Sequence, residues 1–161
     1  MSNPLETPLV SAIAAVLRSR NETVAVTESS TGGLISASLL AVPGASTFFR
    51  GGSVVYTLAS RKALLGIRRE AVAGLEPLTE AMVQVFAETA RSQLDATWGL
   101  AELGVAGPTG ARYGHPPGIS VLAVVGPRVV TATIETGRAD REHNMWDFTA
   151  AALQLLHQAL E

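Results

Sequence analysis

A run of five residues rich in β-branched side chains, Thr23-Val24-Ala25-Val26-Thr27, stops at Glu28-Ser29-Ser30-Thr31-Gly32-Gly33, and an apolar helical stretch starts at Leu34. Few folds accept that order. A short strand with no polar face must be covered on both sides, and a helix leaving it through so tight a turn packs back on the same sheet. The rest of the chain repeats the theme. Thr7-Pro8 reads as an N-cap with proline in the first helical turn, followed by Leu9, Ile13, Val16 and Leu17 at helical spacing. Residues 52–57 read as a second strand, residues 58–65 as helical, and residues 77–94 as a longer helix with Leu78, Met82, Val85 and Phe86 on its apolar face. Residues 100–106 form a strand that runs into Gly107-Pro108-Thr109-Gly110. The Gly126-Pro127 turn joins strands 119–125 and 129–135 as a hairpin, and residues 140–160 close the chain as a helix. These elements predict one domain over residues 1–161, a three-layer α/β/α sandwich with a mixed sheet.

Composition narrows the partners. Of the 161 residues, 47% are hydrophobic and 16% charged, which a disordered chain could not be. Net charge is −2 and no stretch concentrates Lys or Arg, so the basic face that neutralises nucleic-acid phosphates is missing. The absence of cysteine excludes disulfides and thiolate chemistry. No 18-residue apolar run predicts a membrane span, and the first residues lack the pattern of a signal peptide, so a cytoplasmic setting is expected. The apolar helices are compatible with homo-oligomerisation.

Three clusters carry candidate chemistry. In Glu28 to Gly33, the glycines let a ligand approach the backbone, Ser29, Ser30 and Thr31 offer hydroxyls, and the following helix start presents free N–H groups that favour phosphate. The plain alternative is a capped helix after an ordinary turn. The second cluster, Pro43 to Gly52, places Ser46 at a turn with Tyr56, Arg61 and Lys62 about one strand away, as a hydroxyl nucleophile and its activators would be. On spacing alone the plainer reading is favoured: an N-capping Ser46, a sheet Tyr56 and solvated Arg61 and Lys62. The third is the Gly107-Pro108-Thr109-Gly110 turn, at the carboxyl end of a strand where open α/β sheets bind ligands. His115, His143 and His157 have no metal-ligand spacing, and no metal is expected.

Taken together, these blocks resemble the CinA C-terminal domain family, whose stand-alone members are nicotinamide-nucleotide amidases. The resemblance covers nearly the whole chain: Glu28 to Gly33, Pro43 to Gly52, Tyr56, Leu65-Gly66-Ile67, Gly104 to Gly110, Pro117-Gly118 and Asp140-Arg141. It implies deamidation of nicotinamide mononucleotide to nicotinate mononucleotide and ammonia, with no cofactor. By the same resemblance Ser46 is the nucleophile and Tyr56 its neighbour, with Arg61 or Lys62 supplying charge. Glu28, Ser29, Ser30, Thr31, Gly32, Gly33, Gly107, Thr109 and Arg141 would hold the small nucleotide.

The chain departs from that pattern at several polar positions. The family's asparagine and lysine after the tyrosine are here Leu58 and Arg61, and a guanidinium, which does not give up its proton in a protein, is a poor base. His115 replaces a lysine, and Asn144 and Met145 fall where a second helical arginine is usual. A nucleotide-binding member without catalysis, and a related amidohydrolase with another substrate, are the alternatives these changes leave open.

Overall fold

The computed structural model describes Leu5, residues 7–112 and residues 114–161. Helix α1 (Pro8–Arg20) starts where Thr7 accepts a hydrogen bond from the Val10 amide, and ends at Asn21 in the left-handed region. It leads to β1 (Val24–Glu28), α2 (Leu34–Leu40), a single 3₁₀ turn (Ala45–Thr47) and β2 (Phe49–Val54). A short helix α3 (Leu58–Ser60) widens into a π-turn (Arg61–Leu65). Then follow α4 (Glu80–Gln93), β3 (Trp98–Val105), β4 (Ile119–Val125), β5 (Val129–Glu135) and α5 (Arg141–Leu160).

The five strands form one sheet in the order β2-β1-β3-β4-β5. β1 pairs in parallel with both β2 and β3, whereas β3–β4 and β4–β5 are antiparallel, so the sheet is mixed as expected. Strand alternation divides the core in two. Val24, Val26, Trp98, Leu100, Leu122 and Val124 pack with Ile13, Leu17, Ile35, Leu39, Leu153 and Leu156 on one face. Ala25, Ala101, Leu103, Val121 and Ala123 pack with Val83, Phe86 and Ala87 on the other. Helices α1, α2 and α5 thus cover the first face and α4 the second. This is the three-layer arrangement. Among the described residues, no helix is long and apolar enough to cross a membrane.

Several boundaries differ from the sequence reading: β2 ends at Val54 rather than residue 57, α4 starts at Glu80 rather than residue 77, and two strands begin earlier. β2 begins at Phe49 rather than at residue 52, because it is an edge strand, where Arg50, Gly51 and Gly52 can pair on one side only. β3 starts at Trp98, two residues earlier than expected, with the Trp98 indole Nε1 donating to Glu22 at 2.7 Å.

Candidate active site

At the carboxyl ends of the parallel strands the register brings two acids together. Glu28 ends β1 and stands directly opposite Glu102 of β3, on the same sheet face. Both side chains are 0% exposed. Adjacent strands lie ~4.8 Å apart, so two buried carboxyl groups share one small volume.

Glu28 caps α2. Its Oε1 accepts from the Gly33 amide (2.8 Å), the Ile35 amide (3.2 Å) and the Thr31 hydroxyl (2.7 Å). Its Oε2 accepts from the Ser36 amide (2.9 Å) and hydroxyl (2.8 Å). The helix N-terminus therefore already holds an anion, and that anion belongs to the protein. The amides expected to receive a ligand phosphate are occupied. Glu28, Thr31, Gly32 and Gly33 build the turn from behind instead of lining a cavity.

Glu102 holds the front of the turn. Its Oε2 accepts from the Ser29 amide (3.0 Å), the Thr31 amide (3.1 Å) and the Thr31 hydroxyl (3.0 Å), while the Ser30 hydroxyl donates to Oε1 through a short bond. Burial pushes the Glu102 carboxyl above the ordinary carboxylate range, and the hydrogen bonds from Ser30, Ser29 and Thr31 pull it partly back. The folded chain thus holds this proton more tightly than the unfolded chain does. The stability it contributes is complete below the ordinary carboxylate range and is lost as pH rises through the raised value. Glu102→Gln mimics the protonated form, so its melting temperature should match the wild type near pH 4 and exceed it increasingly toward pH 8. Each ~1 kcal/mol would show as about 2–4 °C in a domain of this size. Parallel melting curves would refute this.

In front of this pair lies a basin of about 600 Å³. Ser29 and Ser30 form one wall, Tyr56, Thr57, Leu58 and Arg61 a second, Gly104 to Arg112 with Thr109 a third, and Arg141 closes the rim. Arg141 donates to the Tyr56 hydroxyl (3.1 Å) and to the Gly107 carbonyl, bridging the β2 exit, the β3 exit and the α5 start. Arg61 stretches over the Phe86 ring at 5.2 Å and donates to the Val55 carbonyl at 3.4 Å. Arg61 also borders a second cavity of about 720 Å³, whose floor includes Ile67, Val72, Met82 and Phe86. That larger space contains no hydroxyl among its lining residues, whereas the smaller basin is lined by Ser29, Ser30, Tyr56, Thr57 and Thr109.

Of the residues read from the sequence, Ser29, Ser30, Tyr56, Arg61, Gly107, Thr109 and Arg141 meet in the basin. Lys62 lines the neighbouring cavity instead. Ser46 is not brought in. It sits in the turn before β2, level with the start of β1 because Val24 pairs with Phe49, whereas the basin follows the far ends, where Glu28 pairs with Val54. Five residues of strand, ~17 Å at ~3.3 Å each, separate the two ends within one chain. Two of the departures also find a place. Asn144 is a buried clamp, donating to the carbonyls of Ala106 (2.8 Å) and Arg138 (2.9 Å) and accepting from the Thr136 hydroxyl (2.6 Å). Leu58 and Arg61 alone alter the basin wall; His115, Asn144 and Met145 lie outside it.

Glu102 was not anticipated. Its signal was legible: it is the single charged residue in the otherwise apolar stretch Trp98–Val105, and burying a carboxyl in a central strand needs a dedicated set of partners.

A family model for the CinA C-terminal domain matches residues 6–160. CinA-like proteins of Anaeromyxobacter sp. (strain Fw109-5) and Prochlorococcus marinus (strain MIT 9313) are 39% and 44% identical over 148 and 119 residues, covering 92% and 74% of this chain. The chain spans 36% and 28% of those relatives' lengths, about a third of each. Among solved structures, a competence-damaged protein (CinA) superfamily protein from Klebsiella pneumoniae superposes with a TM-score of 0.88 at 26% identity, covering 99% of this chain and 98% of the other. The competence/damage inducible protein CihA from Agrobacterium tumefaciens gives 0.87 at 26% identity, with 99% and 97% covered. Sequence blocks, sheet order and these likenesses agree, and the chain belongs to the CinA C-terminal domain family.

Proposed function

We propose that this domain is an amidohydrolase that deamidates nicotinamide mononucleotide to nicotinate mononucleotide and ammonia in the Ser29–Tyr56–Arg141 basin. The observation that carries the reading is the composition of that basin. Three arginines, Arg61, Arg112 and Arg141, line it together with Ser29, Ser30, Tyr56, Thr57 and Thr109, at the carboxyl ends of parallel strands. Its volume of about 600 Å³ lies within the ~300–1,000 Å³ usual for small-ligand sites. The cations suit the 5′-phosphate of a mononucleotide. The buried hydroxyl and acid suit attack on a carboxamide.

Purified protein incubated with nicotinamide mononucleotide should release ammonia and nicotinate mononucleotide in equal amounts. Release no faster than from heat-inactivated protein would end the reading. Arg141→Ala should weaken binding of nicotinate mononucleotide about 10-fold in calorimetric titration, the size of one charge-assisted hydrogen bond at ~1.4 kcal/mol. An unchanged affinity would move the phosphate away from the rim.

A second reading rests on Arg61, which stands where the family pattern has lysine and is fixed on the Phe86 ring. A binding module that holds the mononucleotide without turnover would show the calorimetric signal and no ammonia.

A further inference from the structure

Proton bookkeeping at the buried acid pair singles out one hydroxyl. All five partners of Glu28 act as donors, so its two oxygens serve as a carboxylate. Thr31 has one hydroxyl proton and gives it to Glu28 at 2.7 Å, yet Glu102 Oε2 stands 3.0 Å from the same oxygen. Two acceptors therefore face one proton. The contact is relieved when Glu102 itself carries a proton, and the only close place to exchange it is the Ser30 hydroxyl. The Ser120 hydroxyl lies farther, 3.4 Å from Oε1, and bonds the Leu103 carbonyl at 3.1 Å. Around Glu102, β1 supplies the Glu28 carboxylate and β4 the Ser120 hydroxyl; none of the ion pairs among the described residues includes it. Ser29 and Ser30, both on the basin wall, link the acid to it, and of these two bonds only the one from Ser30 is made by a hydroxyl.

An absent methyl lets the Ser30–Glu102 pair pack against bare backbone. A Cβ at Gly104 would lie 2.6 Å from Ser30 Oγ, 2.8 Å from Glu102 Oε1 and 3.0 Å from the Phe148 ring. Ser30 and Gly104 both line the basin, so the Ser30–Glu102 bond lies directly behind its wall.

We propose that Ser30 is the nucleophile of this domain and Glu102 its proton acceptor, a buried serine–glutamate dyad that takes the place of the distant Ser46. This rests on the amidohydrolase reading above. Ionised Glu102 takes the hydroxyl proton as Ser30 Oγ bonds to the carboxamide carbon, and returns it to the nitrogen as the C–N bond breaks and ammonia leaves. Water then attacks the ester; Glu102 accepts the water proton and passes it to Ser30 Oγ as the C–O bond opens and the acid departs. A carboxyl that burial holds above its ordinary range takes up a proton more readily than an exposed one, as a proton acceptor must.

The test uses a fluorophosphonate, which needs no assumption about the substrate. Ser30 Oγ bonds to phosphorus, fluoride leaves, and the hydroxyl proton goes to Glu102. Peptide mass mapping should find the adduct on Ser30, formed at a rate that climbs with pH as Glu102 ionises and then levels. Glu102→Gln should react at least about 100-fold more slowly and lose that climb, and Ser30→Ala should carry no adduct at this peptide. An adduct on Ser46, no adduct at all, or Glu102→Gln reacting at the wild-type rate would overturn the dyad. Labelling of Ser30 by a protein that releases no ammonia from nicotinamide mononucleotide supports the dyad and discards the substrate.

Discussion

Glu28→Ala is expected to lower the unfolding free energy by about 4 kcal/mol or more, a large share of the ~5–15 kcal/mol that holds a domain of this size together. The substitution removes one acceptor and strands four donors, the amides of Gly33, Ile35 and Ser36 and the Ser36 hydroxyl, while the Thr31 hydroxyl can turn to Glu102 Oε2 at 3.0 Å. Each buried orphan costs ~1–3 kcal/mol, reduced where water can enter beside the half-buried Ser36. The seven-residue helix α2 is too short to persist without tertiary support. Its only capping group is this carboxylate, since its N-cap residue, Gly33, has no side chain. The urea midpoint should fall by about 2 M for a slope near ~2 kcal/mol/M. Glu28→Gln keeps one acceptor oxygen but points an amide at a row of donors, so it should fall between the two. A loss below ~1 kcal/mol in Glu28→Ala would show that water substitutes for the carboxylate.

Gly99→Ala is expected to cost about 3 kcal/mol although it adds one methyl. That methyl would stand 2.1 Å from the Ala87 carbonyl oxygen and 2.9 Å from the Arg91 Cβ, both part of α4. Neither atom can turn aside, because one is helix backbone and the other is the root of a side chain whose Nε donates to the Thr97 carbonyl at 3.0 Å. The helix must lift from the sheet, opening contacts among Val83, Phe86, Ala87 and Ala101. Hydrogen exchange in α4 should accelerate with the stability loss. An alanine variant that melts with the wild type would mean that α4 moves over β3 freely.

The fold was legible where local chemistry and tertiary need agree. Gly126-Pro127 between two β-branched runs set the hairpin, and the structure reproduces its strands, Ile119–Val125 and Val129–Glu135. Residues 49–51 escaped notice because Arg50-Gly51-Gly52 looks like a turn, and only the β1 partner makes it a strand. Local patterning says nothing about which neighbour will be found. The site was half legible for the same reason. Tyr56, Thr109 and Arg141 follow from strand ends and a helix start. Ser46 was grouped with them by distance along the chain, yet β1–α2–β2 is a parallel crossover unit, which puts the residue before β2 at the end of the sheet away from the residue after β1. The sequence reading gave the amides of the glycine turn to a ligand phosphate, whereas in the structure those of Gly33, Ile35 and Ser36 donate to Glu28, because a helix start attracts any carboxylate within reach.

The Arg141–Tyr56 bridge has an energetic corollary for the whole chain. It fastens the foot of the C-terminal helix to the segment that follows the edge strand, residues 85 positions apart in sequence. A mononucleotide lodged behind that fastening would touch segments from the first, middle and last thirds of the polypeptide at once. Any opening that frees α5 would then release the ligand as well, so saturating ligand should protect α5 and the β2 edge together, by ~2.7 kcal/mol at a hundred times the dissociation constant.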